Sequence, residues 1–183
     1  MISKKAREIV VDILQKIELE DAYSNIALKQ TLDQYKGLMI KDKALITEIT
    51  NGTIRYTRKL DYIINQFSNT PVHKMKPVIR HTLRMSVYQI VFLDKVPDSA
   101  VCNEAVNIVK KRKMGRLSGF VNGVLRNIIR KPDNVKYPDK ATEPVEYLGV
   151  MYSFPDWIIN LWLESYDYDF VEELCSVDRK SVV

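Results

Sequence analysis

The 183 residues (21.3 kDa) suit one domain of ordinary size with a short appendage. With 46% hydrophobic and 28% charged residues the chain is globular in composition, which excludes disordered and collagen-like classes. No apolar run approaches the roughly 18 residues of a membrane span, and two cysteines 73 positions apart make no disulfide framework. The basic opening is interrupted by Asp12 and has no small-residue cleavage site, so no signal peptide is expected and a reducing, cytoplasmic location is the default. Gly and Pro together number 13, about 7% against an average near 12%, so turns are sparse and a helical fold is favoured. Charge is uneven. Residues 1–135 carry 24 basic and 13 acidic side chains, net +11, and residues 136–183 carry 4 and 10, net −6. A basic body with an acidic appendage points to a polyanionic partner for the body.

Apolar spacing is helical almost throughout. Ala6, Ile9, Val10, Ile13, Leu14 and Ile17 share one face of a first helix. Asp21 or Ser24 is placed to cap a second, which holds Ile26, Ala27, Leu28, Leu32 and Tyr35 and stops at Gly37. One long third helix is expected from about Lys41 to Phe67; Gly52 in its middle implies either a close helix approach or a kink. Pro77 suits the first turn of a fourth helix, which ends near Asp94. Pro97, Asp98 and Ser99 open a fifth. The basic turn from Lys110 to Arg116 leads into a sixth, with Phe120, Val121, Val124, Leu125, Ile128 and Ile129 on its face. No segment alternates as a strand would. The expected fold is all-α, a bundle of about six helices. Three prolines then mark a linker at 132–146, and beyond it lie two short helical patterns with a final turn or two after residue 167.

Signals for chemistry are sparse. Gly115, Gly119 and Gly123 recur every four residues, a spacing for close helix contact rather than for a phosphate loop. His73 and His81 have no ligand-spaced partners, so no metal site is expected. Cys102 and Cys175 read as packing thiols. Asn103 and Glu104 are candidates for a polar network inside the bundle. Binding signals are stronger. Lys110, Lys111, Arg112, Lys113 and Arg116 lie on one turn, too close together to bury. Lys4, Lys5 and Arg7 cluster at a helix N-terminus, where the backbone adds partial positive charge. Arg55, Arg58 and Lys59 form a third cluster. Arg126, Arg130 and Lys131 form a fourth. Each is a solvated helix face when taken singly; four together favour nucleic acid. Tyr23, Tyr56 and Tyr88 are candidate stacking residues, with packing as the alternative role.

Three stretches carry a resemblance: residues 41–64, residues 83–111 and residues 119–130. Their most specific parts are Tyr88-Gln89 followed by Pro97, then Asn103-Glu104-Ala105-Val106, then Phe120-Val121-Asn122-Gly123-Val124-Leu125-Arg126. In order and spacing these resemble the NusB-like RNA-binding domain over roughly residues 3–131. The resemblance implies one of two contexts. One is the stand-alone antitermination factor. The other is the N-terminal region of a bacterial small-subunit ribosomal RNA cytosine-C5 methyltransferase. Arg55, Arg126 and the run Ser153-Phe154-Pro155-Asp156-Trp157, which resembles a Ser-x-Pro-x-Trp connector, favour the second. That context implies S-adenosylmethionine and two catalytic cysteines in a following domain, and ribosomal RNA as partner. Cys102 follows Val and Cys175 follows Leu, so neither fits those cysteines, and no catalytic or cofactor-binding residue is expected in this chain.

The expected organisation is an RNA-binding domain at 1–131, a linker at 132–146 and a connector toward a methyltransferase domain at 147–177. The last six residues, 178–183, are what a common sequencing adapter encodes when read in frame, so the natural sequence is expected to continue differently after Val177.

Overall fold

A computed structural model describes residues 4–20, 23–35 and 37–180; the side chains of Lys4, Lys5, Arg179 and Lys180 lie outside the described set, as does Asp21. The described residues form an all-α molecule. The bundle contains α1 (Lys4–Glu20), α2 (Ser24–Gln34), α3 (Ile40–Arg55), α4 (Thr57–Phe67), α5 (Pro77–Phe92), α6 (Asp98–Lys111) and α7 (Ser118–Arg130). Then come α8 (Pro144–Tyr152), α9 (Asp156–Leu163) and α10 (Tyr168–Lys180). Helix α2 is preceded by Tyr23 rather than capped by Ser24, and it ends at Gln34, three residues before Gly37.

Helix α5 is the axis. Its Pro77 occupies the first turn, where the missing N–H has no intrahelical role. Ten of its sixteen residues are buried, because α1, α3, α4, α6 and α7 all pack around it. Ile9, Val10, Ile13 and Leu14 of α1 face it with at most 4% exposure, as the apolar stripe requires.

The expected third helix is two. The chain breaks at Tyr56 (φ −103°, ψ 18°), so the bundle holds seven α-helices among the described residues rather than six. The hydroxyl of Thr57 donates to the carbonyls of Thr53 and Ile54, both at 2.9 Å, and competes with helical continuation. The Tyr56 ring swings onto Phe92 at 4.4 Å. Gly52 is not the break. It is a close approach: a Cβ there would lie within the ring of Tyr88, which is buried and donates to Glu48 Oε1 at 2.6 Å.

The expected linker is a strap laid along α4. Lys136 N–H donates to Gln66 Oε1 at 2.9 Å, the Gln66 amide donates back to Lys136 O at 3.3 Å, and Tyr137 stacks on Tyr62. Helix α8 begins at Pro144, three residues before the expected boundary. The last element is a full helix of 13 residues rather than a turn or two. Helices α8 to α10 close around Leu148, Phe154, Ile159, Val171 and Cys175.

The unit α8–α10 is pinned to the bundle by the run that resembles a connector. Ser153, at φ 56°, accepts a hydrogen bond at 3.0 Å from the Lys59 N–H in the first turn of α4. It is an N-cap supplied from 94 residues away. Arg58 Nη1 donates to the Phe154 carbonyl and pairs with the Asp156 carboxylate, both at 2.6 Å. Gly149 leaves room for it, since a Cβ there would stand 2.5 Å from Arg58 Nη1.

Candidate nucleic-acid interface

The basic turn is built by a helix stop. Helix α6 ends in a Schellman arrangement: Met114 N–H reaches Val109 O at 3.0 Å and Lys113 N–H reaches Lys110 O at 3.1 Å. Lys113 takes the left-handed position at φ 57°, usually filled by glycine. A short 3-10 turn, Gly115–Leu117, then starts α7. This geometry holds Lys110, Lys111, Lys113 and Arg116 on the outside, all exposed. Lys111 meets Glu8 and the half-exposed Arg112 meets Asp12, so α1 anchors the inner edge of the turn through two ion pairs. Among the described residues, no acidic partner is placed against Lys110, Lys113 or Arg116. They are the unneutralised cations of the corner, which is what a phosphate-binding surface needs.

Helix α7 extends this surface. Its apolar face (Val121, Val124, Leu125, Ile128) packs inward, leaving Arg126 and Arg130 exposed. Arg126 Nε donates to Asn122 Oδ1 at 3.2 Å, which orients the guanidinium along the helix. The glycine series does not make the close helix contact expected of it. A Cβ at Gly119 or Gly123 would meet nothing within 4 Å, because these positions lie off the packed stripe.

Two of the other clusters change role. Arg7 is 2% exposed and is a core residue, not a surface cation. Its Nε donates to Gln89 Oε1 at 2.6 Å, and the carboxylate of the buried Glu104 supports its charge against burial. It ties α1 to α5. Of the two residues expected to form a polar network, Glu104 is buried and acts on Arg7 through its charge, while Asn103 is exposed. The side chains of Lys4 and Lys5 lie outside the described residues. Arg58 is committed to the Ser153–Asp156 latch. Arg55 is half-buried near Tyr88 and lines a cleft of about 510 Å³ between α4 and the start of α9. Of the tyrosines, Tyr88 is core, Tyr56 sits in the Tyr88–Phe92 stack, and Tyr23 is 78% exposed.

Sequence reasoning passed over Phe92 and Tyr137 as partners of Lys59. The half-buried Lys59 ammonium is 5.8 Å and 5.4 Å from their ring centroids. Burial holds its pKa below the usual lysine value. Only the strap brings Tyr137 there.

Burial raises the Cys102 thiol pKa, and Cys175 is wholly buried. Among the described residues no group of three His, Cys, Asp or Glu side chains is placed to hold a metal ion, and no helix is long and apolar enough to cross a membrane.

Comparison with known proteins matches this architecture. The NusB family profile matches residues 4–130. The "Probable ribosomal RNA small subunit methyltransferase B" of Bacillus subtilis is 36% identical over 177 residues, 97% of this chain but 39% of that protein. Its Synechocystis counterpart is 33% identical over 93% of this chain and 38% of its own length. The chain thus spans about two fifths of the curated relatives it matches at greatest length. The "Transcription antitermination protein NusB" of Bacillus licheniformis is 30% identical over 70% of this chain and 96% of its own length. Among solved structures, the antitermination factor complex of NusB and NusE with double-stranded RNA superposes with a TM-score of 0.64 at 23% identity, over 69% of this chain and 95% of the matched one. The protein PH0851 superposes at 0.73 and 16% identity, over 96% of this chain and 38% of its own. Helices α1 to α7, the axial α5 and the matched segment agree in extent, and the chain belongs to the NusB family.

Proposed function

We propose that this chain is the RNA-targeting, N-terminal region of an S-adenosylmethionine-dependent small-subunit ribosomal RNA cytosine-C5 methyltransferase. The observation that carries the reading is the reach of the match. The methyltransferase relative aligns over 97% of the chain, whereas the antitermination relative aligns over 70%. The added part includes a latched structural unit, α8–α10, whose latch uses the connector-like run Ser153–Asp156. In this reading Lys110, Lys111, Lys113, Arg116, Arg126 and Arg130 hold ribosomal RNA through its phosphates, which position rather than specify. Arg112 joins them from its ion pair. The cofactor and the methyl-transferring cysteine would belong to a following domain in cis. This chain's own work would be to bind and orient the RNA. A stand-alone antitermination-type RNA-binding factor is the second reading, favoured by the bundle's 30% identity to a protein that it covers almost fully.

RNA binding is tested by a salt titration. Log affinity for single-stranded RNA should fall against log salt with a slope of about 0.7 per phosphate contacted. Replacing Lys110, Lys113 and Arg116 by Gln together should flatten it by about 2. A salt-insensitive affinity overturns the RNA reading. The two contexts separate by long-read sequencing of the locus past the Val177 codon. A frame that continues into a cofactor-binding domain supports the methyltransferase. Six genomic codons for 178–183 followed by a stop would favour the free-standing factor.

A further inference from the structure

Residues 136–183 carry 4 basic and 10 acidic side chains, and five of the acids stand on or beside α10: Asp167, Asp169, Glu172, Glu173 and Asp178. The helix pairs an aromatic ring with a carboxylate twice. Tyr168 and Glu172, four residues apart, already hold a cation. Lys140 Nζ donates to Glu172 Oε2 at 2.5 Å and stands 4.9 Å from the Tyr168 ring centroid, which combines an ion pair with a cation–π contact. The hydrogen bond to Glu172, with a smaller contribution from the charge of Asp169, raises the pKa of that ammonium.

Phe170 and Glu173 repeat the construction on the neighbouring face, three residues apart and so adjacent on the helix surface. Tyr166 packs against Phe170 at 4.8 Å and holds its ring. Asp169, one turn before Glu173, doubles the negative charge. All four side chains are exposed, the two rings by 52% and 47%. Among the described residues the ion pair on α10 is that of Lys140 with Glu172, and no cation is placed against Glu173. Exposed rings beside unmatched carboxylates complement a cation with an apolar body. A guanidinium has a flat face for the ring and a fork of donors for the carboxylate; a lysine has a methylene stem and a point charge. One exposed pair holds a free cation weakly. A chain that carries several cations engages Glu173 and Asp169 together and gains from their linkage. An RNA is repelled from this face by its own charge.

We infer that the outer face of α10, formed by Tyr166, Asp169, Phe170 and Glu173, is a docking surface for a Lys/Arg-rich polypeptide segment. One cation of that segment sits on Phe170 and pairs with Glu173, as Lys140 sits on Tyr168 and pairs with Glu172. The family match ends at residue 130, so this surface belongs to the unit beyond the bundle. It stands apart from the basic corner in place and in sign, and the inference does not depend on the RNA-binding reading.

The test is fluorescence anisotropy of a labelled eight-residue peptide of alternating Arg and Gly, titrated with the 183-residue chain at about 0.1 M salt. The parent chain should bind it. Phe170→Leu leaves net charge unchanged and should weaken binding by about two- to fivefold, the worth of an exposed cation–π contact. Phe170→Tyr should bind as the parent does, which a loss of fold would not permit. Asp169→Asn with Glu173→Gln should weaken binding by about fivefold or more. Asp33→Asn with Asp94→Asn removes the same charge from exposed sites on the bundle and should change little. Three results overturn the surface: no binding by the parent, parent-like binding by the Asp169–Glu173 and Phe170→Leu variants, or equal weakening by the Asp33–Asp94 variant, which would make the attraction one of net charge alone. Sedimentation of the chain without peptide covers the remaining occupant. Self-association that disappears when Lys110, Lys113 and Arg116 are replaced would assign the face to a second copy's basic corner and overturn a separate partner.

Discussion

Among the described residues, the bundle closes around 28 buried apolar side chains and the unit α8–α10 around five. The first is a core of ordinary domain size. The second belongs to a segment of under 40 residues, a length at which a lone core rarely suffices. It compensates with polar contacts to the bundle: the Ser153 cap on α4, the Arg58 grip on Phe154 and Asp156, and the strap bonds between Gln66 and Lys136. Apolar burial is non-directional and tolerates small shifts. A latch of three hydrogen-bonded residues is directional and fixes one orientation. The difference teaches that the bundle supplies stability, while the unit after it is set at a defined angle.

Substitutions can break either half of that contrast. The largest effect is expected at Gly52→Ala. The added methyl collides with the Tyr88 ring, which Glu48, Tyr56 and Phe92 hold in place, so the bundle should lose about 1–3 kcal/mol or more in urea unfolding. Next comes Arg58→Ala, which leaves the Phe154 carbonyl and the Asp156 carboxylate without their donor. Its expected cost of about 1–2 kcal/mol should fall on 144–180. Hydrogen exchange there should quicken while α5 keeps its protection. Loss of protection throughout would mean that the two regions unfold as one. Smaller and opposite in sign is Lys113→Gly. It relieves a left-handed lysine and should stabilise the bundle by about 0.5–1 kcal/mol, while reducing the RNA salt slope by about 0.7.

The smallest effect is one of pH. His81 is 4% exposed, and burial holds its pKa below 6.5 despite the bond from its ring to Glu18 at 2.9 Å. The folded state therefore binds fewer protons than the unfolded state below that pH. The contribution is complete above pH 6.5 and is lost as pH falls toward the lowered folded value. Glu18 acts the same way. Burial raises its pKa, but hydrogen bonds from Arg80 and His81 outweigh this and hold it below the usual 4.5, so its share disappears at still lower pH. Thermal melts between pH 7.5 and 5 should show the parent losing stability, and His81→Gln should flatten that dependence.

Much of this was legible in the residues. The apolar stripes of α1, α5, α6 and α7 give their own faces, because burial on one side of a helix imposes a 3.6-residue period. The corner at 110–116 is legible because five cations in seven residues cannot all be desolvated. Other residues were misread for reasons of the same physics. Arg7 looks like a surface cation until Gln89, 82 positions away, is seen to accept from its Nε and the charge of Glu104, 97 positions away, to support it. Gly119 and Gly123 have contact spacing, but α7 turns its branched side chains, not its glycines, toward α5 and α6. The stripe from 41 to 67 is unbroken, so its apolar pattern carries no sign of the stop at Tyr56.

By itself the sequence determined that the chain is helical, where its apolar faces run, and that its excess positive charge lies before residue 136. These are local properties, fixed by periodicity and by the incompatibility of clustered charge with burial. Tertiary structure alone decided which cations are free. It recruited Arg7 to the core and Arg58 to a latch, and it brought Tyr137 to Lys59. It also split α3 from α4, with Ser153 capping the second helix. Each outcome depends on a partner tens of residues distant, and hydrogen-bond geometry selects that partner only after the helices have packed.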